Sequence, residues 1–292
     1  MARSLSARTL GTLGFLVLGA AGCSWFHQTS ASAPLSTASA PASVAEPKPD
    51  QALLAAVAAT SRASDNVARD GARHPAASLA FWGLRPGITF VEVWPAPGYW
   101  TEIVAPYLKA NGGHYVAVLQ NMDRKLPPKF DDKTVYGEIT YTVFNKDAAA
   151  IAPAGSADVV LTARNIHDWM WTPGLAEKFM SDAFAALKPG GVLAVEEHRA
   201  DPRATINNAR DGYVSTADVV ALAEKAGFKL EAKSEINANP KDTKDYPFGV
   251  WTLPPSLRSS PPGQPPNPSF DHSAYTAIGE SDRMTLRFRK PG

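Results

Sequence analysis

The chain has 292 residues, 45% of them apolar and 20% charged, which is ample material for a folded core. A formal net charge of +1 gives no electrostatic reason to expect nucleic acid and points to a small or neutral partner. The single cysteine excludes an intrachain disulfide framework.

The amino terminus has the layout of an export signal. Arg3 and Arg8 supply positive charge, and Leu10 to Gly22 form an apolar run rich in Leu, Gly and Ala. That run is too short for a permanent membrane helix, which needs ~20 residues. It ends in Ala20-Ala21-Gly22-Cys23, which resembles a bacterial lipobox with Ala20 in place of the usual leucine. The resemblance implies a signal peptide over 1–22, lipidation of Cys23 and a membrane anchor facing the periplasm. Ser24, rather than Asp, is similar to outer-membrane sorting signals. Without the resemblance, the segment is an ordinary cleaved signal with an incidental cysteine. Residues 24–49 are Ala, Ser, Thr and Pro with few charges, too poor in large apolar residues to fold, and form a tether. Residues 50–292 are left for one domain.

Gln51 to Ala63 predicts a helix capped by Asp50, continued as a charged helical stretch over Asp65 to Arg73. Pro75 ends or restarts it, and Ala76 to Phe81 leads into the turn Gly83 to Gly87. Ile88 to Trp94 is β-branched and aromatic, as expected of a central parallel strand covered on both faces. After the turn Pro95-Ala96-Pro97-Gly98 a helix is expected over Tyr99 to Leu108, then strands over His114–Leu119, Ile139–Phe144 and Ala157–Ala163. A helix over Pro173–Leu187 precedes Lys188-Pro189-Gly190-Gly191 and a fifth strand, Val192–Glu196. Helix Thr216–Ala226 stops at Gly227, and strand Phe228–Ile236 follows. Asn239 to Asp271 is a Pro-rich insertion, either a lid or an excursion across the surface. In Arg283 to Arg289, Met284, Leu286 and Phe288 alternate with polar residues, which predicts a last strand with its arginines on a solvated face. Strands alternating with helices give an α/β, Rossmann-like, doubly wound sheet.

Ligands in such sheets bind outside the carboxyl ends of the strands. The loops there hold Glu92 to Trp100, Gln120 to Asp123, Lys146-Asp147-Ala148, Asn165 to Trp169 and Glu196 to Arg199. In order, a strand, a Gly-containing loop and a helix, then Asp147-Ala148, then Leu187-Lys-Pro-Gly-Gly-Val192 resemble class I S-adenosylmethionine-dependent methyltransferases. More narrowly, Glu92-Val-Trp-Pro, Tyr99-Trp-Thr-Glu102, Asn165 to Trp169, Glu197-His-Arg199 and Gly279-Glu-Ser-Asp-Arg283 are similar to a group of predicted bacterial envelope methyltransferases. The resemblance runs from about Arg69 to Pro291. It implies an antiparallel last strand, S-adenosylmethionine as cofactor and a small-molecule acceptor.

Carried over residue by residue, the resemblance places Glu92, Trp94, Pro95, Gly98, Asn121, Asp147 and Asn165 at the cofactor. The loop departs from the family pattern: Gly98 is its lone glycine, and Leu119-Gln120-Asn121 stands where an acid usually binds the ribose hydroxyls. Methyl transfer asks a protein to align donor and acceptor and to remove a proton. His167 and His198 are the natural proton acceptors, with Asp168 or Glu197 to orient a ring. Each residue also has a purely structural reading: Glu92 and Asp147 as helix caps, the histidines as partners of buried backbone, and Trp94, Trp100 and Trp169 as packing. The alternative to catalysis is a lipid-tethered binding or scaffold protein that keeps the fold. The loop after the first strand lacks G-x-G-x-x-G, no G-x-S-x-G elbow is present, and the histidines lack metal-site spacing.

Overall fold

Asp50 opens the first helix by accepting the Leu53 N–H at 2.7 Å. The folded body starts here in the computed structural model, which describes residues 47–123 and 125–292. The expected signal peptide, Cys23 and the tether up to residue 46 lie outside the described residues. α1 (Gln51–Val57) is shorter than the helix expected over 51–63. Arg62 turns the chain: its buried guanidinium folds back onto the Val57 carbonyl at 2.8 Å and clasps Asp70 with bonds of 2.6 and 2.7 Å. Two single-turn helices follow, α2 (Ser64–Val67) and α3 (Asp70–Arg73). His74 is left-handed (φ 44°), and Pro75 begins α4 (Pro75–Phe81) at its first position, where its missing N–H costs nothing.

Seven strands form one sheet: β1 (Thr89–Val93), β2 (His114–Leu119), β3 (Ile139–Val143), β4 (Ala157–Ala163), β5 (Leu187–His198), β6 (Lys229–Ser234) and β7 (Arg283–Arg289). Their order is β3-β2-β1-β4-β5-β7-β6, with β1 to β5 parallel and β7 antiparallel to both its neighbours. The intervening helices are α5 (Thr101–Ala110), α6 (Lys133–Tyr136), α7 (Ile166–Trp169), α8 (Leu175–Ala186), α9 (Thr216–Lys225) and α10 (Ser273–Ile278). Alternation along β1 splits the core. Val91 and Val93 pack with Phe179 and Met180 of α8, while Phe90 packs with Ile103 of α5 and with Trp82 and Trp100 on the other face.

Two expectations about the late strands need correction. The basic face of β7 is largely covered, because the α3–α4 segment packs on it: Arg283 is 1% and Arg287 8% exposed, and Arg289 alone of the three is part-exposed. Arg287 donates to the Phe81 carbonyl at 2.8 Å and pairs with Glu231 at 2.8 Å. β5 outruns its expected end at Glu196, since Glu197 and His198 go on pairing with Met284 and Arg283. The Pro-rich insertion is seated by Gly249 (φ 59°), where a Cβ would come within 2.3 Å of the Asp211 carbonyl, and by the Val250 N–H bond to that same oxygen at 2.8 Å.

Candidate functional site

The strand order reverses between β1 and β4, the place where open α/β sheets bind ligands. Both strands are followed by a non-glycine residue in the left-handed region, Trp94 at φ 52° and Arg164 at φ 61°. Such conformations cost about 1–3 kcal/mol each and persist only where the surroundings impose them. Here each backbone N–H is tied to the neighbouring strand, Trp94 to Val118 O at 2.8 Å and Arg164 to Glu196 O at 2.7 Å. The Trp94 indole donates to the Phe144 carbonyl at 2.9 Å and meets Trp169 edge-on. The Asn165 amide donates to the Val93 carbonyl at 2.9 Å and so bridges the two strand ends.

Two cavities adjoin at this point. A slot of about 160 Å³ is lined by Trp94, Pro95, Ala96, Leu119, Gln120 and Asn165. An inner cavity of about 180 Å³ shares Ala96 and Asn165 with it and presents Arg164, His167, Asp168, His198, Glu280 and Ser281. The insertion closes the inner cavity with Val250, Trp251, Pro254 and Pro255. Neither space alone reaches the ~300–1,000 Å³ of small-molecule sites, but joined they reach the lower end of that range.

Glu197 organises the polar wall. One carboxylate oxygen accepts the Ile166 and His167 N–H groups at 2.7 and 3.2 Å, and the other accepts the His198 N–H at 2.8 Å and meets His167 Nδ1 at 2.9 Å. His167 Nε2 lies 3.4 Å from Asp168. Burial pulls the His167 pKa down, but the charge and hydrogen bond of Glu197, with Asp168, outweigh it and the net shift is upward. The His198 ring lies 5.3 Å from that of His167, and its Nδ1 meets Ser281 Oγ at 2.5 Å. Burial, then the positive charges of His167, Arg164, Arg283 and Arg73, push the His198 pKa well below the usual range. The wall therefore shifts the two imidazoles in opposite directions, His167 upward and His198 downward, the separation of pKa values that distinguishes an acid from a base.

Behind this wall lies a buried ionic cluster. Glu280 pairs with Arg69 at 2.7 Å, Arg73 at 3.0 Å and Arg283 at 2.7 Å, and Glu196 pairs with Arg283 at 3.1 Å. Arg164 adds a further guanidinium whose buried Nε has no hydrogen-bond partner among the described residues. Both terminal nitrogens of Arg73 are in the same position. Burial and the charge of Arg164 lower the Arg73 pKa to about 10. Against the effect of its own burial, the arginines led by Arg283 hold Glu280 at about 2. His167, Glu197 and His198 bring three metal-ligating groups within 4.8 Å, which their sequence spacing does not suggest. That set does not suit a cation. Glu197 is occupied by three backbone N–H groups and a ring nitrogen, and the nearby arginines repel positive charge.

Solved structures share the fold that carries this arrangement. The [4+2]-cyclase SpnF aligns with a TM-score of 0.54 at 13% identity, over 82% of this chain and 92% of that one. The 1,6-didemethyltoxoflavin-N1-methyltransferase of Burkholderia thailandensis, solved with S-adenosylhomocysteine, aligns with a TM-score of 0.47 at 14% identity, over 78% and 80%. The arsenic(III) S-adenosylmethionine methyltransferase of Chlamydomonas reinhardtii aligns with a TM-score of 0.46 at 16% identity, over 84% and 74%. The chain has the class I methyltransferase fold. No protein-family model matches the sequence, and no curated protein matches it. Because a cyclase shares this fold, fold alone does not dictate the chemistry.

Within the methyltransferase fold, Trp94, Pro95 and Asn165 line the slot, and Asn165, His167, Asp168 and His198 line the inner cavity. Four other expected residues line neither. Glu92 shares the Phe90 side of β1, is 2% exposed, and accepts from Tyr115 Oη at 2.5 Å and Thr101 Oγ1 at 3.2 Å. Burial pushes its pKa up to about 8 despite those bonds. Gly98 (φ 106°) packs on Phe130, where a Cβ would come within 2.5 Å, so its lack of a side chain serves packing. Asn121 accepts the Asp123 N–H at 3.1 Å in a turn, and Asp147 is exposed and paired with Lys146 at 2.8 Å. Arg164, Glu280, Ser281 and Trp251 are the site residues that the sequence reading misses. Glu280 and Ser281 lie in the Gly279 to Arg283 run noted for its resemblance, which is the one signal that marks them.

Proposed function

We propose that the protein is an S-adenosylmethionine-dependent methyltransferase acting on a small molecule, exported and anchored through a lipid on Cys23. The observation that carries the catalytic reading is the inner cavity at the strand reversal, lined by His167 and His198 with their rings 5.3 Å apart and their pKa values shifted in opposite directions. The residues present suit the cofactor. Its amino-acid end carries a carboxylate and an ammonium group, for which the inner cavity offers Arg164, whose Nε has no partner among the described residues, and Asp168. Its adenine ring is flat with apolar faces, for which the slot offers Trp94, Pro95 and Leu119, with Gln120 for the ribose hydroxyls.

When bound, S-adenosylmethionine supplies an electrophilic methyl carbon on a sulfonium. The chain's part is alignment and proton removal. Ser281 Oγ accepts from His198 Nδ1–H and leaves Nε2 as the basic nitrogen facing the acceptor. Burial, with the positive charges of His167 and the arginines behind it, keeps His198 low in pKa and ready to take the acceptor's proton. Glu197 orients the His167 ring and favours its protonated form, which holds the acceptor atom in place. Val250, Trp251, Pro254 and Pro255 exclude water from the reacting centre.

One observation favours a second reading, a tethered binding protein without catalysis: the Trp94 indole and Pro95 narrow the slot where the family carries a glycine loop. Ultraviolet crosslinking of methyl-labelled S-adenosylmethionine tests the cofactor site on which methyl transfer depends, and release of labelled methyl to an acceptor separates the two readings. Label on a peptide containing residues 94–98 or 164–168, competed by S-adenosylhomocysteine, supports the cofactor site; an unlabelled chain refutes methyl transfer. The anchor rests on the Ala20 to Cys23 resemblance, and Cys23→Ser is expected to move the protein from the membrane to the soluble fraction. A membrane-bound variant contradicts the lipidation.

A further inference from the structure

Outside the inner cavity, the Pro-rich insertion encloses a larger space of about 670 Å³, well within the ~300–1,000 Å³ of small-molecule sites. Asp168 and Trp251 line both spaces, so the outer one is an antechamber to the histidines. Its inner end is rimmed by Trp171 and Trp251, whose rings lie 5.9 Å apart and 6.2 and 5.8 Å from that of His167. Tyr246 and Phe248 add further aromatic wall.

The charges of the antechamber are unbalanced in a specific way. Arg210 lies over Trp171 at 5.0 Å, and Arg258 lies over Trp251 at 5.0 Å. Among the described residues neither guanidinium has a carboxylate partner. Asp211, the nearby acid, is taken by Arg203, and Asp168 stands at the inner rim beside His167. A guanidinium stacked on an indole keeps its in-plane N–H groups free and pre-organised to bind an anion. Two of them on an aromatic wall are complementary to a flat ring that carries an acid.

We propose that the antechamber binds the methyl acceptor and that the acceptor is a planar aromatic acid. Its ring lies against Trp171 and Trp251, its acid group meets Arg210 and Arg258, and its far end reaches His167 and His198. The proposal rests on the reading of the inner cavity as the methyl-transfer site.

The test is calorimetric titration of the full chain, without cofactor, with 6-hydroxy-2-naphthoate and with the neutral 6-hydroxy-2-naphthamide. The acid is expected to bind at least about tenfold more tightly than the amide, a difference of about 1.4 kcal/mol. The double variant Arg210→Gln/Arg258→Gln is expected to lose that preference while still binding the amide, which shows that the wall is intact. Trp251→Leu is expected to weaken both ligands. Equal affinity for acid and amide, an unchanged preference in the double variant, or no binding of either overturns the proposal. S-adenosylmethionine is titrated separately: cofactor binding without naphthoate binding defeats this proposal alone, and naphthoate binding without cofactor binding defeats the methyl-transfer reading.

Discussion

Replacing Glu92 by glutamine separates a role inherited by resemblance from the role the structure gives this residue. Its carboxyl is 2% exposed, hydrogen-bonded to Tyr115 and Thr101, with a pKa near 8 instead of 4.5. Between those values the native state holds a proton that the unfolded chain has lost, so the stability contributed by this group falls as pH rises through the window and the loss is complete above about 8. The shift corresponds to roughly 5 kcal/mol. Glu92→Gln is neutral at every pH and keeps an acceptor for Tyr115. In urea denaturation it is expected to match the parent within about 1 kcal/mol at pH 5 and to exceed it by several kcal/mol at pH 8.5. Its affinity for S-adenosylmethionine is expected to stay within about twofold, because Glu92 lines neither cavity. An equal stability difference at both pH values, or a large loss of cofactor affinity, would refute the reasoning.

Other outcomes test the wall and the loop. His198→Gln is expected to lower kcat by ~10²–10⁴ while cofactor affinity is retained, measured by transfer of labelled methyl to an acceptor. Glu197→Gln removes the charge that raises the His167 pKa, so that ring is expected to lose its proton at lower pH in NMR titration; an unmoved titration contradicts the pairing. Gly98→Ala puts a Cβ into the Phe130 ring at a positive φ and is expected to cost about 2–4 kcal/mol in urea denaturation. A neutral result would show that the loop and Phe130 are not in contact.

Much of the architecture is legible in the residues because strands buried on both faces, such as Val-Ala-Val-Leu before Gln120, read as continuous apolar runs closed by turn residues. His167, Asp168 and His198 are legible for a related reason: they follow directly on strands, and strand order brings loop ends together. What is hidden is hidden by distance along the chain. Arg283 and Arg287 look like surface charges until β7 is inserted between β5 and β6, and Arg73 meets Glu280 across 207 residues. Trp94 continues the apolar pattern of β1, yet the chain turns there into the left-handed region. The motif resemblance puts Glu92 at the cofactor, but the period of two along β1 sets it on the Phe90 side, bonded to Tyr115 and Thr101, and it lines neither cavity.

The central claim is that the slot and the inner cavity together form a cofactor site. Titration of the full-length chain with S-adenosylmethionine and S-adenosylhomocysteine by calorimetry tests it most directly. The account predicts one site for each ligand, weakened at least about tenfold by Arg164→Gln. Absence of binding at millimolar ligand, or binding that Arg164→Gln leaves unchanged, would contradict it.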